Sequence, residues 1–428
     1  MSAAWSSDHP VAPGSPGQRR LSGRNAVLVL AIIVAFAVAS TSGERAPGSA
    51  RALAADADTP LFRFVSMPDF LNTDVGDTRL RAGRGWEPGD PNSLNTSWAR
   101  AVNVILDEVQ TEDPDVVLVA GDLVEGHWGI DADGTGIFGP TGTRAQRLTA
   151  VTNAGNLYYG EWAKRFRERG LRVLPALGDH EVGDNPWNAG SFKLAAVPTY
   201  KRVWARHFTR SGTGYRYVDR PIGTAFEETA YAVRMANTLF VSIDVFRVTH
   251  QSMTVTVSGG QLAWLDGLLG RARADGVQHI VVQGHTPVLG PLRSRSSSRL
   301  TMAGGGAAPF WQVLKRHNVD LYLSGEMHDI TTQTDGVLQV VHGGLSQVGD
   351  ANYLVGDVYA DRIELRLEEM SGSVTDATRR LWQTSSKRPP AGISLLRGAQ
   401  TVGTMVIDTS SSEVVYRDRT GLFLDWVP

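Results

Sequence analysis

The chain has 428 residues, of which 42% are hydrophobic and 20% charged, so it is long enough for one large core or two domains. Its formal net charge of -2 excludes a basic surface that coats nucleic acid, although local cations could still capture a small anionic substrate. The sequence contains no cysteine, which excludes disulfides and thiolate ligands. Any metal must therefore be held by oxygen and imidazole ligands.

Near the N-terminus, arginines precede an uncharged apolar stretch, residues 26–39. The stretch is shorter than the roughly 20 residues that a membrane-spanning helix needs, and small residues follow it at positions 52–54. The pattern predicts an export signal, either cleaved or retained as a membrane anchor, and hence a secreted or cell-surface protein. Residues 1–57 are assigned to this signal and a linker, and residues 58–428 to the folded domain.

Beyond residue 61, short apolar runs alternate with helical patterns, which lie at residues 97–110, 161–168, 261–273 and 308–317. This alternation predicts a layered α/β domain. Two segments, residues 126–159 and 186–229, interrupt the rhythm and are expected to be loop-like insertions that overhang the site formed by the polar motifs they follow. Strand-like patterns at residues 353–370 and 401–428 predict a β-rich C-terminal segment.

Acidic and imidazole side chains occur at five places where an apolar, strand-like run ends. They are Asp69, Asp122, Asp179 with His180 and Glu181, His285, and Glu326 with His328. Because loops at the carboxyl ends of strands converge at one edge of a sheet, we expect these side chains to meet. A pair of hard divalent cations that catalyses phosphoryl chemistry is held by carboxylates and imidazoles, and one of these ligands is shared by both cations. Asp122, in the motif Gly121-Asp122, is the natural shared ligand.

The order of these motifs resembles that of the calcineurin-like metallophosphoesterases over about residues 62–344. The resemblance implies an α/β fold, a four-layer α/β/β/α sandwich of the metallophosphoesterase type, with two divalent metal ions. It also implies that His180 faces the substrate and is catalytic together with Asp122. The ligands that it implies are Asp69 and His328 for the first metal, Asp122 as the bridge, and Asp179, His285 and Glu326 for the second.

The sequence departs from the family pattern at both metals. Leu71 occupies the position of a ligating histidine, so Asn72, or else Asp74, is expected to substitute through a side-chain oxygen and the first metal to bind more weakly. Asp179 replaces an asparagine and Glu326 replaces a histidine, which puts additional carboxylates on the second metal. Harder ligands favour Mn²⁺, Mg²⁺, Ca²⁺ or Fe over Zn²⁺, although geometry could overrule this preference.

The predicted function is metal-dependent hydrolysis of a small phosphorylated substrate, either a phosphomonoester or a phosphodiester. A metal-activated hydroxide would attack phosphorus, and His180 would protonate the leaving oxygen or bind the phosphoryl group. His127, in the loop after Asp122, and Glu181 are weaker candidates for contacts with the substrate, and Glu181 is also expected to orient His180 or a neighbouring loop.

The alternative is a degenerate, non-catalytic phosphoesterase domain that binds a ligand or a partner. The changes at Leu71 and Glu326 motivate this hypothesis. The presence of both His180 and Asp122 argues against it, because a binding module needs neither a proton donor nor a bridging ligand.

Overall fold

The computed structural model describes residues 58–70, 74–75, 90, 92–128, 136–295, 297–344, 350–376, 391–410 and 414–424. The predicted export signal and the residues Leu71 and Asn72 lie outside this part of the chain. None of the helices in the described ranges combines the length and the apolar character that crossing a membrane requires. All described elements belong to one compact unit, Ala54–Pro428.

Five α-helices occur in the described residues. They are α1 (Thr96–Thr111), α2 (Arg144–Glu168), α3 (Phe192–Phe208), α4 (Gly259–Ala274) and α5 (Pro309–Arg316). Helices α1, α4 and α5 match predicted helical patterns to within two residues at each end. Helix α2 is 25 residues long, so the pattern at residues 161–168 is only its last part.

Both segments expected to be loop-like insertions contain helical residues, 144–159 in the first and 192–208 in the second, and the prediction of loops is wrong over those residues. The first contains most of α2, which begins with a capping box between Thr143 and Gln146. Its polar, glycine-containing sequence is a weak helix former, but the helix buries Ala150, Ala154 and Tyr158 against the core. The second segment contains α3. Packing therefore outweighs local propensity in both places.

The strands, in chain order, are β1 Phe62–Ser66, β2 Val116–Val119, β3 Val173–Pro175, β4 Arg210–Ser211, β5 Gly214–Tyr215, β6 Tyr231–Met235, β7 Thr238–Ser242, β8 Phe246–Val248, β9 Met253–Val255, β10 His279–Gln283, β11 Leu321–Ser324, β12 Thr331–Thr334, β13 Leu338–Val341, β14 Ala351–Val358, β15 Arg362–Met370, β16 Gly372–Val374, β17 Ile393–Leu395, β18 Gln400–Asp408 and β19 Val415–Arg417. Strands β14, β15, β18 and β19 form the β-rich C-terminal segment that the sequence predicts.

Most strands form two large sheets. The first has seven strands in the order β19-β18-β15-β14-β1-β2-β3, and the second has six in the order β12-β13-β11-β10-β7-β6. Strands β1, β2 and β3 run parallel, as do β7, β10, β11 and β13. Strands β2, β7, β10 and β11 are buried along their whole length, as expected for parallel strands covered on both faces.

The two sheets pack face to face. The ring of Phe64 in β1 lies 5.7 Å from the ring of Phe240 in β7, measured between centroids. The side-chain amide of Gln283 in β10 donates a hydrogen bond to the carbonyl of Leu174 in β3, at 2.7 Å. Side chains from both sheets therefore form the central layer of the core.

Helices cover the outer faces. The register places Phe240 and Leu321 on one face of the second sheet and Tyr322 on the other, where Phe310 of α5 packs against it at 5.6 Å between ring centroids. In the first half of the chain, Trp162 of α2 contacts Phe70, just after β1, at 4.8 Å. The architecture is the predicted four-layer α/β/β/α sandwich.

Candidate metal centre

Four predicted carboxylate ligands converge around the imidazole of a fifth predicted ligand, His285. His285 follows β10, and its Nε2 lies 3.1 Å from Asp179 Oδ1, 3.3 Å from Glu326 Oε2 and 3.5 Å from Asp122 Oδ2. Its Nδ1 lies 3.8 Å from Asp69 Oδ1. All five side chains are buried. The expected meeting of residues from separate strand ends is therefore what the structure shows.

These side chains form overlapping groups whose ligand atoms all lie within 4.8 Å of one another. The groups are Asp69 with Asp122 and His285, Asp179 with His285 and Glu326, and Asp122 with Asp179 and His180. Asp122 belongs to a group on the Asp69 side and to a group on the Asp179 side. A carboxylate in that position can be shared by two cations.

The donor set fits divalent cations. Asp69 is fully buried, yet neither of its carboxylate oxygens has a hydrogen-bond partner among the described residues. Burial raises the pKa of Asp69 to about 8, and burial together with the neighbouring carboxylate of Asp179 raises the pKa of Asp122 well above its ordinary value. Buried carboxylates that repel one another are costly unless a cation lies between them. Two divalent ions would provide that compensation.

The tautomer of His285 is fixed by its surroundings. Its Nδ1 donates a hydrogen bond to the carbonyl of Ala120 at 2.9 Å, which leaves Nε2 as the nitrogen that can ligate a metal. Burial acts to lower the pKa of His285, but the surrounding carboxylates, with Asp122 the strongest, raise it well above its ordinary value. The carboxylates therefore favour positive charge at this position, which is the charge that a bound cation would supply.

The backbone is strained where the ligands are presented. Asp69, Asp122, Glu326 and His328 all have positive φ, between 53° and 68°, a region that non-glycine residues rarely adopt. Gly121, with φ of 96°, precedes Asp122, and a Cβ there would lie 2.6 Å from both the Cα of Gly178 and the Nδ1 of His285. The Gly-Asp motif thus reflects close packing of the loops around the ligands.

Glu181 supports the loop that carries Asp122. Its Oε2 accepts hydrogen bonds from the backbone N–H groups of Asp122 and Gly178, at 2.8 Å and 2.7 Å, and its Oε1 accepts one from Leu123 at 2.8 Å. The side chain is completely buried. Both carboxylate oxygens are held by backbone donors away from solvent, so the contacts of Glu181 fit the expected role in orienting a neighbouring loop rather than a contact with the substrate.

His180 lies at the edge of the centre and is partly exposed. Its Nδ1 donates a hydrogen bond to the carbonyl of Glu125 at 2.6 Å, so its Nε2 faces outward, 3.8 Å from Asp184 Oδ1. Burial acts to lower the pKa of His180, but the carboxylates of Asp184 and Asp179 raise it above its ordinary value. The raised pKa favours the protonated imidazole, and a protonated, partly exposed imidazole can deliver a proton to a bound substrate.

Two polar residues just after His180, Asp184 and Asn185, contact site residues in a way that the motifs do not predict. His127 Nε2 lies 2.5 Å from Asp184 Oδ2, and Asn185 donates a hydrogen bond to Asp179 Oδ2 at 3.0 Å. His127, a predicted substrate contact, is therefore close to His180, with ring centroids 6.0 Å apart. The available signal was only that Asp184 and Asn185 follow the motif within five residues.

A second missed contact fixes Glu326. Its Oε1 accepts hydrogen bonds from the hydroxyl of Ser298 at 2.7 Å and from the backbone N–H of Leu300 at 2.9 Å. Its Oε2 remains directed toward His285. Ser298 lies in a serine- and arginine-rich segment with no pattern that indicates such a role.

The remaining ligands predicted for the first metal are placed differently. Within the described ranges, His328 belongs to none of the three-ligand groups. Burial lowers the pKa of His328 to about 3, so its imidazole is neutral and retains a lone pair for ligation. Asp74 faces the loop after Asp122, where it accepts hydrogen bonds from the Glu125 N–H at 3.0 Å and the Trp128 indole at 3.3 Å. Substitution by Asn72 stays a prediction.

The sequence profile of the calcineurin-like phosphoesterases matches residues 89–330, which is more than half of the chain. The chain belongs to this family, as its motifs predict. It is therefore a metal-dependent phosphoesterase, the class of enzyme that the clustered carboxylates and imidazoles fit.

Solved structures show similarity at low sequence identity. A dimetal phosphatase from Danio rerio is 16% identical over 72% of this chain and 95% of its own, with a TM-score of 0.44. PhoD is 12% identical over 86% of this chain and 73% of its own, with a TM-score of 0.44. The calcineurin-like phosphoesterase YfkN from Bacillus subtilis is 10% identical over 78% of this chain and 90% of its own, with a TM-score of 0.31. No curated protein matches the chain.

Proposed function

We propose that the protein hydrolyses small phosphoric esters at the site around Asp122, with His180 as the proton donor. The observation that carries this proposal is the position of Asp122. It lies between ligand groups on the Asp69 and Asp179 sides, and the partly exposed His180 lies next to it. A proton donor beside a pair of cation sites is the arrangement that ester hydrolysis requires.

The three-ligand groups around His285 supply part of the ligand set for two ions. Asp69, Asp122 and His285 fit one side, and Asp179, Glu326 and His285 fit the other, with His328 and Asn72 as further candidates for the first ion. When bound, the ions supply charge neutralisation at the phosphoryl group and activation of water. The abundance of carboxylates supports Mn²⁺, Mg²⁺, Ca²⁺ or Fe rather than Zn²⁺ at this centre.

His180 would act on the leaving group. The hydrogen bond from its Nδ1 to Glu125 O fixes the ring, and the backbone N–H of His180 donates to Asp122 Oδ1 at 3.3 Å. The ring is thereby held at a set distance from the shared carboxylate, with Nε2 turned to the open side. From there Nε2 would give its proton to the departing oxygen, while His127 is placed to contact the rest of the substrate.

We further propose that the enzyme is exported. The support is the apolar stretch at residues 26–39 after a basic segment, and residues 58–428 would form the mature catalytic domain. Sequencing the N-terminus of the mature protein recovered from culture medium and from membranes tests this, because cleavage before residue 58 is expected and an intact N-terminus in the cytoplasm contradicts it.

The function is tested by measuring hydrolysis of a nitrophenyl phosphate monoester and diester, together with the metal content of the same preparation. We expect hydrolysis of at least one ester, its loss after chelation, and its return when Mn²⁺ is added. Protein that holds two ions per chain and hydrolyses neither ester would overturn the proposal. A non-catalytic binding domain would then describe the chain better.

A further inference from the structure

A second cluster of metal-ligating atoms lies beside the candidate metal centre. One ring nitrogen of His127, one of His180 and a carboxylate oxygen of Asp184 all lie within 4.8 Å of one another. Asp184 lies between the two rings, 2.5 Å from His127 and 3.8 Å from His180, and the rings are inclined by only 18°. Each of the three side chains is between 13% and 19% exposed, so the cluster is open to ions from solvent.

Glu125 lies behind both imidazoles. Its carbonyl accepts the hydrogen bond from His180 Nδ1 at 2.6 Å, and its carboxylate Oε1 lies 3.8 Å from His127 Nδ1. Glu125 is almost completely buried, and among the described residues neither its Oε2 nor His127 Nδ1 has a hydrogen-bond partner. The carbonyl that accepts from His180 Nδ1 orients that ring as in histidines that bind metals. The carboxylate of Glu125 lies on the Nδ1 side of His127 without a hydrogen bond between the two, and Nε2 of both rings is directed toward the carboxylate of Asp184.

We propose that His127, His180 and Asp184 form a third cation site, adjacent to the two-metal centre and suited to Zn²⁺. Two imidazoles and one carboxylate, with a fourth position open to water, match the ligand number and type that zinc adopts when three protein ligands hold it. The neighbouring centre is rich in carboxylates and favours harder ions. Excess Zn²⁺ would therefore bind at the cluster of His127, His180 and Asp184, which has more imidazole ligands.

Occupancy of this site would switch the enzyme off. The ion would take the Nε2 of His180, and, if the proposed function holds, that nitrogen is the one that protonates the leaving group. Lys193 opposes binding, because its ammonium nitrogen lies 3.9 Å from Asp184 Oδ2 and carries the same sign of charge as the ion. The site is accordingly expected to fill only when zinc is abundant.

The first test counts ions and requires no catalysis. Full-length protein saturated with Mn²⁺ is dialysed against increasing Zn²⁺, and bound metals are measured by mass spectrometry. We expect His127→Gln to bind one zinc ion fewer per chain than the wild type. The matched control is His317→Gln, which removes a histidine that lies 2.6 Å from Asp266 but is not part of any three-ligand group in the described chain. The control should bind as many ions as the wild type.

A second variant changes affinity in the opposite direction. Lys193→Gln removes the competing charge and should lower the zinc concentration at half-occupancy by about threefold or more. If His127→Gln binds as much zinc as the wild type, or if Lys193→Gln leaves the half-occupancy unchanged, the third site is overturned. The proposed function has a separate test, because it is refuted if protein that holds two ions hydrolyses neither ester. The zinc count does not depend on that result.

Discussion

At the scale of single residues, the position of Asp122 gives it a role in both halves of the metal centre. Its carboxylate belongs to one three-ligand group with Asp69 and to another with Asp179. Its backbone N–H donates a hydrogen bond to the carboxylate of Glu181. We expect Asp122→Asn to remove hydrolysis and lower metal content, because a neutral amide cannot bridge and neutralise two cations. Esterase activity and ion content measured on the same preparation test this.

Asp266→Asn is a suitable control for that experiment, because Asp266 is an exposed aspartate that pairs with Arg316 and His317 away from the centre. Its turnover and ion content should match those of the wild type, and circular dichroism should show both variants folded. An Asp122→Asn protein with wild-type turnover and two tightly bound ions would contradict the bridging role.

In protein loaded with Mn²⁺ alone, so that the proposed zinc site plays no part, His180 is expected to affect turnover without affecting the ion content of the two-metal centre. His180→Ala should lower kcat by about 10²- to 10⁴-fold, since a proton donor contributes that much when the leaving group is poor. The loss should be smaller for a nitrophenyl ester than for an alkyl ester, because nitrophenolate departs without a proton. The comparison of the two esters, with ions counted in parallel, is the measurement. Loss of an ion would make His180 a ligand of the centre instead.

Ser298 is expected to affect the metal through Glu326. The hydroxyl of Ser298 holds Oε1 of Glu326 at 2.7 Å, which keeps Oε2 directed into the centre. Ser298→Ala should weaken metal binding by about 10- to 100-fold, which is the usual effect of removing a residue that hydrogen-bonds to a metal ligand. Competition with a chelator measures this. Ser294→Ala is the control, because Ser294 bonds to Ser297 rather than to a predicted ligand, and equal affinities in the two variants would refute the role.

At the scale of secondary-structure elements, a buried ion pair fixes α3 against the second sheet. The ammonium of Lys201 lies 2.6 Å from Asp244 Oδ2 and also donates to the carbonyl of Phe246 at 2.7 Å. Asp244 follows β7 and is completely buried. Helix α3 lies in a segment that directly follows the His180 motif, so this pair positions the helix that carries Lys193 beside the centre.

Lys201→Met should lower the free energy of unfolding by about 3 to 5 kcal/mol, because it leaves the buried carboxylate of Asp244 without its counter-charge. Denaturant titration of the wild type and the variant measures the loss. Lys164→Met is the control, since Lys164 forms an exposed pair with Glu168 within α2 and should cost only about 0.5 kcal/mol. A similar small cost for both substitutions would show that the buried pair does not stabilise the fold.

The elements that the sequence predicts best are those whose structure is determined by local pattern. Strands β10 and β11 end just before His285 and Glu326, where the sequence predicts that strands end, because each is a short, fully buried apolar run followed by a polar motif. The first part of α2 could not be predicted in this way. Its threonine, asparagine and glycine residues disfavour a helix, and its stability depends on burial of Val151 and Tyr158 and on the bond from Asn153 to Phe138.

The same distinction applies to the site. Asp122 and His285 are predictable because each follows a parallel strand, and the ends of parallel strands must converge. The contact of Ser298 with Glu326 depends on the path of the loop that carries Ser298, and the contact of Lys193 in α3 depends on the path of the loop that carries Asp184. No periodicity in the sequence encodes either path, so these contacts are not predictable. Glu181 lies inside a predicted motif, but its contacts depend on how the backbone turns after Gly178. The motif alone therefore does not predict them.

At the scale of the whole molecule, His279 connects the two sheets. It begins β10 in the second sheet, and its Nε2 donates to the carbonyl of Tyr359, after β14 of the first sheet, at 3.1 Å. Its Nδ1 lies 3.4 Å from the hydroxyl of Thr409, which directly follows β18. Burial lowers the pKa of His279 to about 4. The imidazole is therefore neutral in the folded protein under conditions in which it would be protonated in the unfolded chain.

This difference predicts how the stability of the fold depends on pH. A histidine with a depressed pKa in the folded state stabilises the fold above its unfolded pKa of about 6.5, and that contribution is lost as the pH falls toward about 4. Between pH 7 and pH 5, His279 should account for a loss of about 2 kcal/mol in the free energy of unfolding. His279→Gln keeps a donor for Tyr359 but cannot be protonated, so its stability should fall by about 2 kcal/mol less than that of the wild type. Denaturant titrations of both proteins at the two pH values give this difference directly, and parallel losses would show that His279 is not protonated on unfolding as argued.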